Sequence, residues 1–123
     1  MLLSNDDVRR IRKRTDLARQ KFSYLKEGYL YLKNKENSCV FLNDETKRCS
    51  IYEARPTGCR FYPIIYDPYS RECIVDKDCS NKENVPIKKV ETTCPSLEEF
   101  ILLLEKERNE RLTLSEKVTK KTF

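Results

Sequence analysis

The 123-residue chain is short enough for one domain, and it is 38% hydrophobic and 37% charged, which leaves a small core under a charged surface. Its net charge of +5 lies at the N-terminus, where residues 1–35 carry ten Lys and Arg against four Asp and Glu. The absence of histidine excludes a Ser–His or Cys–His catalytic pair and a mixed Cys/His zinc site within the chain.

Residues 4–8 predict the start of an N-terminal helix, since Ser4 or Asn5 can cap it and two aspartates suit the positive end of its dipole. Val8 and Ile11 would face inward. The exposed side would carry a basic cluster of five residues, Arg9, Arg10, Arg12, Lys13 and Arg14. Such a cluster can contact nucleic-acid phosphates, although a charged helix face is more often simply solvated. We therefore keep nucleic acid as a secondary hypothesis, and the sequence indicates no particular protein partner.

Three strand-like segments follow, with a turn predicted at residues 34–37 between the first two. They are Gly28–Lys33, Ser38–Leu42 and Arg48–Tyr52. We expect them to form a small antiparallel sheet, with Cys39 and Cys49 near the beginnings of the second and third strands.

Pro56 predicts the next helix start, because its missing N–H costs nothing in a first turn. Cys59 would then lie within that first turn. Unpaired N–H groups at a helix start lower the pKa of a thiol and favour the thiolate, which is the form that binds metals. Its predicted position at a helix start makes Cys59 a candidate metal ligand, independently of how the cysteines are spaced in the sequence.

Residues 64–66 and 72–75 predict a hairpin, which is followed closely by Cys79 and a polar connector. The last helix is predicted to start at Cys94 and Pro95. It has an apolar stripe at helical spacing, formed by Leu97, Phe100, Ile101 and Leu104.

The predicted elements indicate an α+β fold. We expect a small cysteine-rich domain of short antiparallel strands or hairpins, flanked by an N-terminal helix and a C-terminal amphipathic helix. Residues 1–94 would form the cysteine-rich domain, and residues 95–123 would form the C-terminal helix and a polar tail packed on it.

No segment resembles a secretion signal, and the longest apolar run, Phe100–Leu104, is far shorter than a membrane span. We expect a cytoplasmic protein without a membrane partner. Thiols usually stay reduced in that compartment, but the charged composition is also compatible with a thermophile, so disulfide pairing stays open.

Cys39, Cys49 and Cys59 stand ten residues apart, and Cys79 extends the set to four. Four thiols match the coordination number of zinc or of a four-iron cluster, and soft thiolates select both. Buried packing of small side chains and disulfides are the alternatives, and the chain has no Cys-x-x-Cys to decide among them. Arg55 and Arg60 would offset the negative charge of a thiolate site, or else form ordinary surface ion pairs.

The segments Cys39-Val-Phe-Leu, Cys49-Ser-Ile-Tyr-Glu, Arg55-Pro and Cys59-Arg-Phe-Tyr-Pro resemble the YkgJ-type zinc- or iron-chelating family, the CxxCxxCC proteins. The resemblance covers roughly residues 1–79. It implies that Cys39, Cys49, Cys59 and Cys79 are metal ligands for zinc or an iron–sulfur cluster.

The sequence departs from that family pattern in two respects. The leading cysteine cluster is missing, so either the native start lies upstream of Met1 or this member has lost half of its ligands. Cys73 and Cys94 match no family position, and they would be packed thiols, a disulfide pair or extra ligands.

The leading functional hypothesis is a metal-binding module without catalytic residues. One alternative is iron–sulfur-dependent methyl transfer, because the flagellin lysine methylases resemble the same family in their cysteine-rich part. The chain has no Gly-rich loop and little room for an S-adenosylmethionine domain, which counts against that alternative. The other alternative is a disulfide-stapled binding protein that uses its basic helix.

Overall fold

A computed structural model describes residues 1–35 and 38–121 and confirms the α+β class. The helices of the described residues are α1 (Asn5–Thr15), α2 (Arg19–Phe22), α3 (Thr57–Phe61) and α4 (Ile87–Lys121). The strands are β1 (Leu2–Leu3), β2 (Ser23–Lys26), β3 (Tyr29–Leu32), β4 (Asn34–Lys35), β5 (Ser38–Cys39), β6 (Ile64–Asp67) and β7 (Glu72–Val75). The predicted turn at 34–37 falls partly on residues 36 and 37, which lie outside the described residues.

Helix α1 begins where the sequence predicts. The Ser4 hydroxyl accepts a hydrogen bond from the Asp7 N–H at 3.0 Å, and the Asp7 carboxylate accepts one from the Ser4 N–H at 3.0 Å. This reciprocal capping satisfies two backbone donors that the first helical turn would otherwise leave unpaired. Val8 and Ile11 are buried, as expected. The helix ends at Asp16, whose φ of 59° is left-handed.

The main sheet differs from the predicted one. Its order is β1-β3-β2, and both pairs are antiparallel. The predicted strand around residues 29–32 is confirmed, but it pairs with two segments for which no strand was predicted. Glu27 and Gly28 connect β2 to β3 with φ values of 55° and 86°. A two-residue turn with positive φ at both positions matches the right-handed twist of a hairpin.

The predicted strands at 38–42 and 48–52 are largely wrong. Within the described residues, strand β5 pairs only with β4, and beyond it one isolated bridge joins Leu42 to Cys49. The reason is local hydrogen bonding: the Leu42 N–H donates to the Cys39 carbonyl at 2.9 Å, and the Lys47 N–H donates to the Asn43 carbonyl at 2.8 Å. These turns replace a ladder, and they fold the chain back so that Cys49 returns towards Cys39.

The predicted hairpin is confirmed as β6 and β7, and it packs against α4. Helix α4 starts at Ile87, earlier than the predicted start at Cys94, and Pro95 lies inside it. Pro86 marks the true start, since its carbonyl accepts a hydrogen bond from the Lys89 N–H at 3.0 Å. A proline inside a helix removes one backbone hydrogen bond. Packing compensates, because the predicted stripe is buried at Leu97, Phe100 and Leu104 and partly buried at Ile101.

The core lies between α1, the three-stranded sheet and the cysteine-bearing turns. It consists of eight buried apolar residues, Leu3, Val8, Ile11, Phe22, Leu30, Leu32, Phe41 and Ile51, with Cys39, Val40 and Cys49 packed against them. The thiols therefore lie at the edge of the core.

The C-terminal helix contacts elements of the N-terminal part directly. Glu107 is buried, and its carboxylate accepts a hydrogen bond from the Asn5 N–H at 2.8 Å. Arg111 donates to the Gly28 carbonyl at 3.0 Å. Helix α4 runs across residue 94, and the division of the chain at that residue stays a prediction. Within the described residues, no helix combines the length and the apolar character needed to cross a membrane.

Candidate metal centre

Three of the predicted ligands share one cavity. Cys39 comes from β5, Cys49 from the bridge with Leu42, and Cys59 from α3. All three are partly buried and free of disulfides. They line a cavity of about 360 Å³ together with Leu42, Tyr52, Arg55, Arg60 and Tyr62. The fold thus brings together thiols that stand ten and twenty residues apart in sequence.

Cys39 is placed so that a backbone N–H group points at its sulfur. The Phe41 N–H donates to Cys39 Sγ at 3.5 Å, while the Leu42 N–H closes the turn on the Cys39 carbonyl. A hydrogen bond donated to sulfur favours the charged form of a thiol. The tight turn that replaces the predicted strand therefore also supplies a donor to a candidate ligand.

Cys59 is positioned through a buried carboxylate far away in sequence. Asp7 is fully buried, and its Oδ1 accepts hydrogen bonds from the Thr57 N–H at 3.0 Å and from the Thr57 hydroxyl at 2.6 Å. Asp7 thereby joins the start of α1 to the start of α3, the helix that carries Cys59. The sequence predicts Asp7 at a helix start, but it gives no signal for this second contact.

The predicted lowering of the Cys59 pKa is wrong. Burial raises the pKa of the Cys59 thiol to about 11, and the neighbouring thiols of Cys39 and Cys49 raise it further in the same direction. Burial also raises the pKa of Cys39, against the smaller effect of the Phe41 N–H. The five-residue helix α3 does not outweigh the loss of solvation. Partly buried thiols that would repel one another once ionised are favourable neighbours for a cation.

Cys79 lies near the cavity but does not line it. It is partly buried in the loop after β7, where its N–H donates to the Asp76 carbonyl at 3.0 Å. It is close enough to Tyr62, a residue of the cavity wall, to affect that phenol. The pKa of Tyr62 is raised mainly by burial, then by Asp76 and, to a smaller extent, by Cys79. The structure thus gathers three predicted ligands and places the fourth at the margin.

Arg55 and Arg60 both line the cavity of Cys39, Cys49 and Cys59, and their electrostatic role there stays a prediction. The Arg55 guanidinium lies 4.0 Å from the centre of the Tyr52 ring, which holds it in a cation–π contact. Among the side chains that the structure describes, neither arginine pairs with a carboxylate. Both positive charges are therefore available to the thiol cavity.

The three sulfurs of the cavity are not gathered as closely as the ligands of one zinc ion would be. They do not all lie within 4.8 Å of one another, whereas those of thiolates around one zinc ion lie about 3.8 Å apart. Among the described side chains, the group of three potential ligand atoms within 4.8 Å is instead that of Cys73, Cys94 and Glu98.

Cys73 and Cys94 form a disulfide, with their Cα atoms 5.8 Å apart. The sequence allows this disulfide as one of three alternatives for the two residues, beside packed thiols and extra ligands. The remaining four cysteines are free, so a framework in which all six cysteines pair does not form in this structure.

The basic residues of α1 lie in different environments in the folded chain. Arg10 turns inward, pairs with Asp7 and donates to the Thr57 hydroxyl at 3.2 Å. Arg9, Arg12 and Lys13 line an open depression of about 480 Å³. Contact with nucleic acid through this surface stays a prediction.

A comparison with family models matches residues 2–95 to the CxxCxxCC family, described as "Putative zinc- or iron-chelating domain". The match contains all six cysteines, both free and paired. No solved structure matches the chain.

Proposed function

Because the chain belongs to the CxxCxxCC family of zinc- or iron-chelating domains, we propose that it is a metal-binding module held by cysteine thiolates. Cys39, Cys49 and Cys59 supply the ligands, and Cys79 is the fourth. The observation that carries this proposal is the single cavity lined by three free thiols from three separate elements.

The surrounding residues support negative charge in the cavity. The Phe41 N–H stabilises the Cys39 thiolate, and the guanidiniums of Arg55 and Arg60 offset the total charge of the ligands. Metal binding must displace the thiol protons, so affinity rises with pH until the thiols are ionised. The module acts by binding and needs no group that transfers protons to a substrate.

The spacing of the sulfurs favours an iron–sulfur cluster over a single zinc ion. In a four-iron cluster each thiolate binds a different iron, so the cysteine sulfurs lie farther apart than they do around one zinc ion. A zinc ion would instead have to draw the three cysteines together from an arrangement in which they do not all lie within 4.8 Å.

Metal and acid-labile sulfide per chain, measured after anaerobic purification, test the proposal. We expect bound iron with a matching amount of sulfide. The changes Cys39→Ser, Cys49→Ser and Cys59→Ser should each remove most of the metal. Ser50→Ala is the matched control, since Ser50 is exposed and adjacent to Cys49 but carries no thiol.

The possible results separate the parts of the proposal. A folded wild-type chain without metal would contradict the module itself. Zinc without sulfide would contradict the cluster but keep the thiolate site. Full metal content in Cys79→Ser would remove Cys79 from the ligand set.

A further inference from the structure

A second group of sulfur and oxygen atoms lies away from the thiol cavity, between the hairpin and the last helix. Cys73 lies on β7, while Cys94 and Glu98 are one turn apart on α4. The Cys94 sulfur is 3.0 Å from the Glu98 carboxylate oxygen. One ligand atom from each of these residues lies within 4.8 Å of the others. None of the three lines the cavity of Cys39, Cys49 and Cys59.

The contact between Cys94 and Glu98 lacks a positive partner in the disulfide form. A disulfide sulfur has no proton to donate, so a carboxylate oxygen beside it gains no hydrogen bond there. Among the described side chains, no lysine or arginine pairs with Glu98. Glu98 is exposed, so water solvates its carboxylate in the disulfide form, whereas a thiol proton or a metal ion between the sulfur and the oxygen would bind both atoms.

We propose that, when the disulfide is reduced, Cys73, Cys94 and Glu98 bind a zinc ion as a second metal site. Two thiolates and a carboxylate are ordinary zinc ligands, and three protein ligands leave a fourth position open to water or an external ligand. Ligands one helical turn apart share a helix face, and the third arrives from the packed hairpin. The site therefore joins β7 to α4 in both states, by a covalent bond or by the metal.

The disulfide form and the zinc-bound form exclude each other, because the same two sulfur atoms take part in both. Reduction adds two electrons and two protons to the disulfide, breaks the S–S bond and gives two thiols, while a thiol or phosphine reductant is oxidised. Zinc binding then forms two Zn–S bonds and releases the two protons. A disulfide oxidant reverses the change: it accepts two electrons, the two Zn–S bonds break, the S–S bond forms and the zinc ion is released.

Zinc titration of the full chain, monitored by calorimetry and by metal analysis, tests the site in two redox states. One sample keeps the disulfide, with four free thiols counted, and the other is treated with a phosphine reductant until six are counted. We expect about one further zinc ion per chain in the reduced sample. The signal is this difference, so it does not depend on which metal the cavity of Cys39, Cys49 and Cys59 holds.

Two variants assign the additional zinc to these residues. Glu98→Gln should weaken its binding roughly tenfold or more, because it removes a carboxylate ligand and keeps the side-chain shape. Glu99→Gln is the matched control at the neighbouring exposed position. The double change Cys73→Ser and Cys94→Ser should remove the difference between the two redox states.

Three results would overturn the proposal. They are equal zinc content in both redox states, a Glu98→Gln chain that binds zinc as Glu99→Gln does, and a disulfide that the reductant cannot open in the folded chain.

Discussion

At the scale of single residues, the buried Asp7 carboxylate joins the starts of two helices. It caps α1 through Ser4 and also holds the start of α3 through Thr57. A buried carboxylate is stable only where its oxygens have partners, and these contacts supply them. The placement of Cys59 therefore depends on a residue more than fifty positions earlier.

Asp7→Ala should lower the free energy of unfolding by roughly 2–4 kcal/mol, because it leaves buried N–H groups of two helix starts without acceptors. Asp6→Ala is the matched control, since Asp6 is exposed and forms ion pairs only on the surface of α1. Urea denaturation measures both. Equal losses of stability in the two variants would contradict the role of Asp7.

The free thiol of Cys59 is governed by burial. Its pKa of about 11 lies above the ordinary value of 9.0, so the folded state favours the neutral thiol. A raised pKa contributes stability below the ordinary value, and this contribution is lost as the pH rises through the folded value. In the metal-free protein, stability should therefore decrease between about pH 9 and pH 11.

In the metal-free protein, the alkylation rate of Cys59 by iodoacetamide should rise with pH and reach its midpoint near pH 11. The same cysteine in urea-unfolded protein should have its midpoint near 9.0, which provides the control. Peptide mass spectrometry after short reaction times measures the rate at this residue. A folded-state midpoint below that of the unfolded chain would mean that burial does not control this thiol.

At the scale of elements, the turn between β2 and β3 is one of the places where α4 is held. Arg108 donates to the Glu27 carbonyl at 2.8 Å, and Arg111 donates to the Gly28 carbonyl. Gly28 also has a φ of 86°, which residues with a side chain rarely adopt. A Cβ atom at this position would lie 2.9 Å from side-chain carbons of both Arg108 and Leu112.

Gly28→Ala should therefore destabilise the protein by roughly 1–2 kcal/mol, through the left-handed backbone and the close contact with α4. Gly58→Ala is a useful comparison, because its added carbon meets the flexible Met1 side chain and its φ is not left-handed. Thermal unfolding measures both variants. An unchanged melting temperature in Gly28→Ala would show that α4 does not depend on this turn.

At the scale of the whole molecule, α4 connects two packed regions. Its second half reaches α1 and the β2–β3 turn, and its first half carries the disulfide to β7. The disulfide joins residues 21 positions apart, which restricts the unfolded chain more than the folded one.

Reduction of the disulfide in the presence of a chelator should lower the free energy of unfolding by about 3 kcal/mol, given the size of the closed loop. The double change Cys73→Ser and Cys94→Ser should produce a similar loss and make the protein insensitive to reductant. Denaturation curves with and without reductant measure both effects. A wild-type chain of equal stability in both conditions would contradict the stabilising role of the disulfide.

The sequence by itself determined the features that rest on local patterns. The cap of α1, the β6–β7 hairpin, the apolar stripe of α4 and the α+β class follow from capping residues and from periodicity, which neighbouring residues encode. The family also follows from short segments around Cys39, Cys49 and Cys59, and the family match confirms it.

Only the tertiary structure decided which groups meet. It replaced the predicted strands at Cys39 and Cys49 by turns, paired Cys73 with Cys94, and joined Asp7 to α3. It also reversed the predicted pKa shift of Cys59, since desolvation depends on the packing around the thiol rather than on its place in a helix. Long-range pairing and burial are properties of the assembled chain, and a local sequence pattern does not contain them.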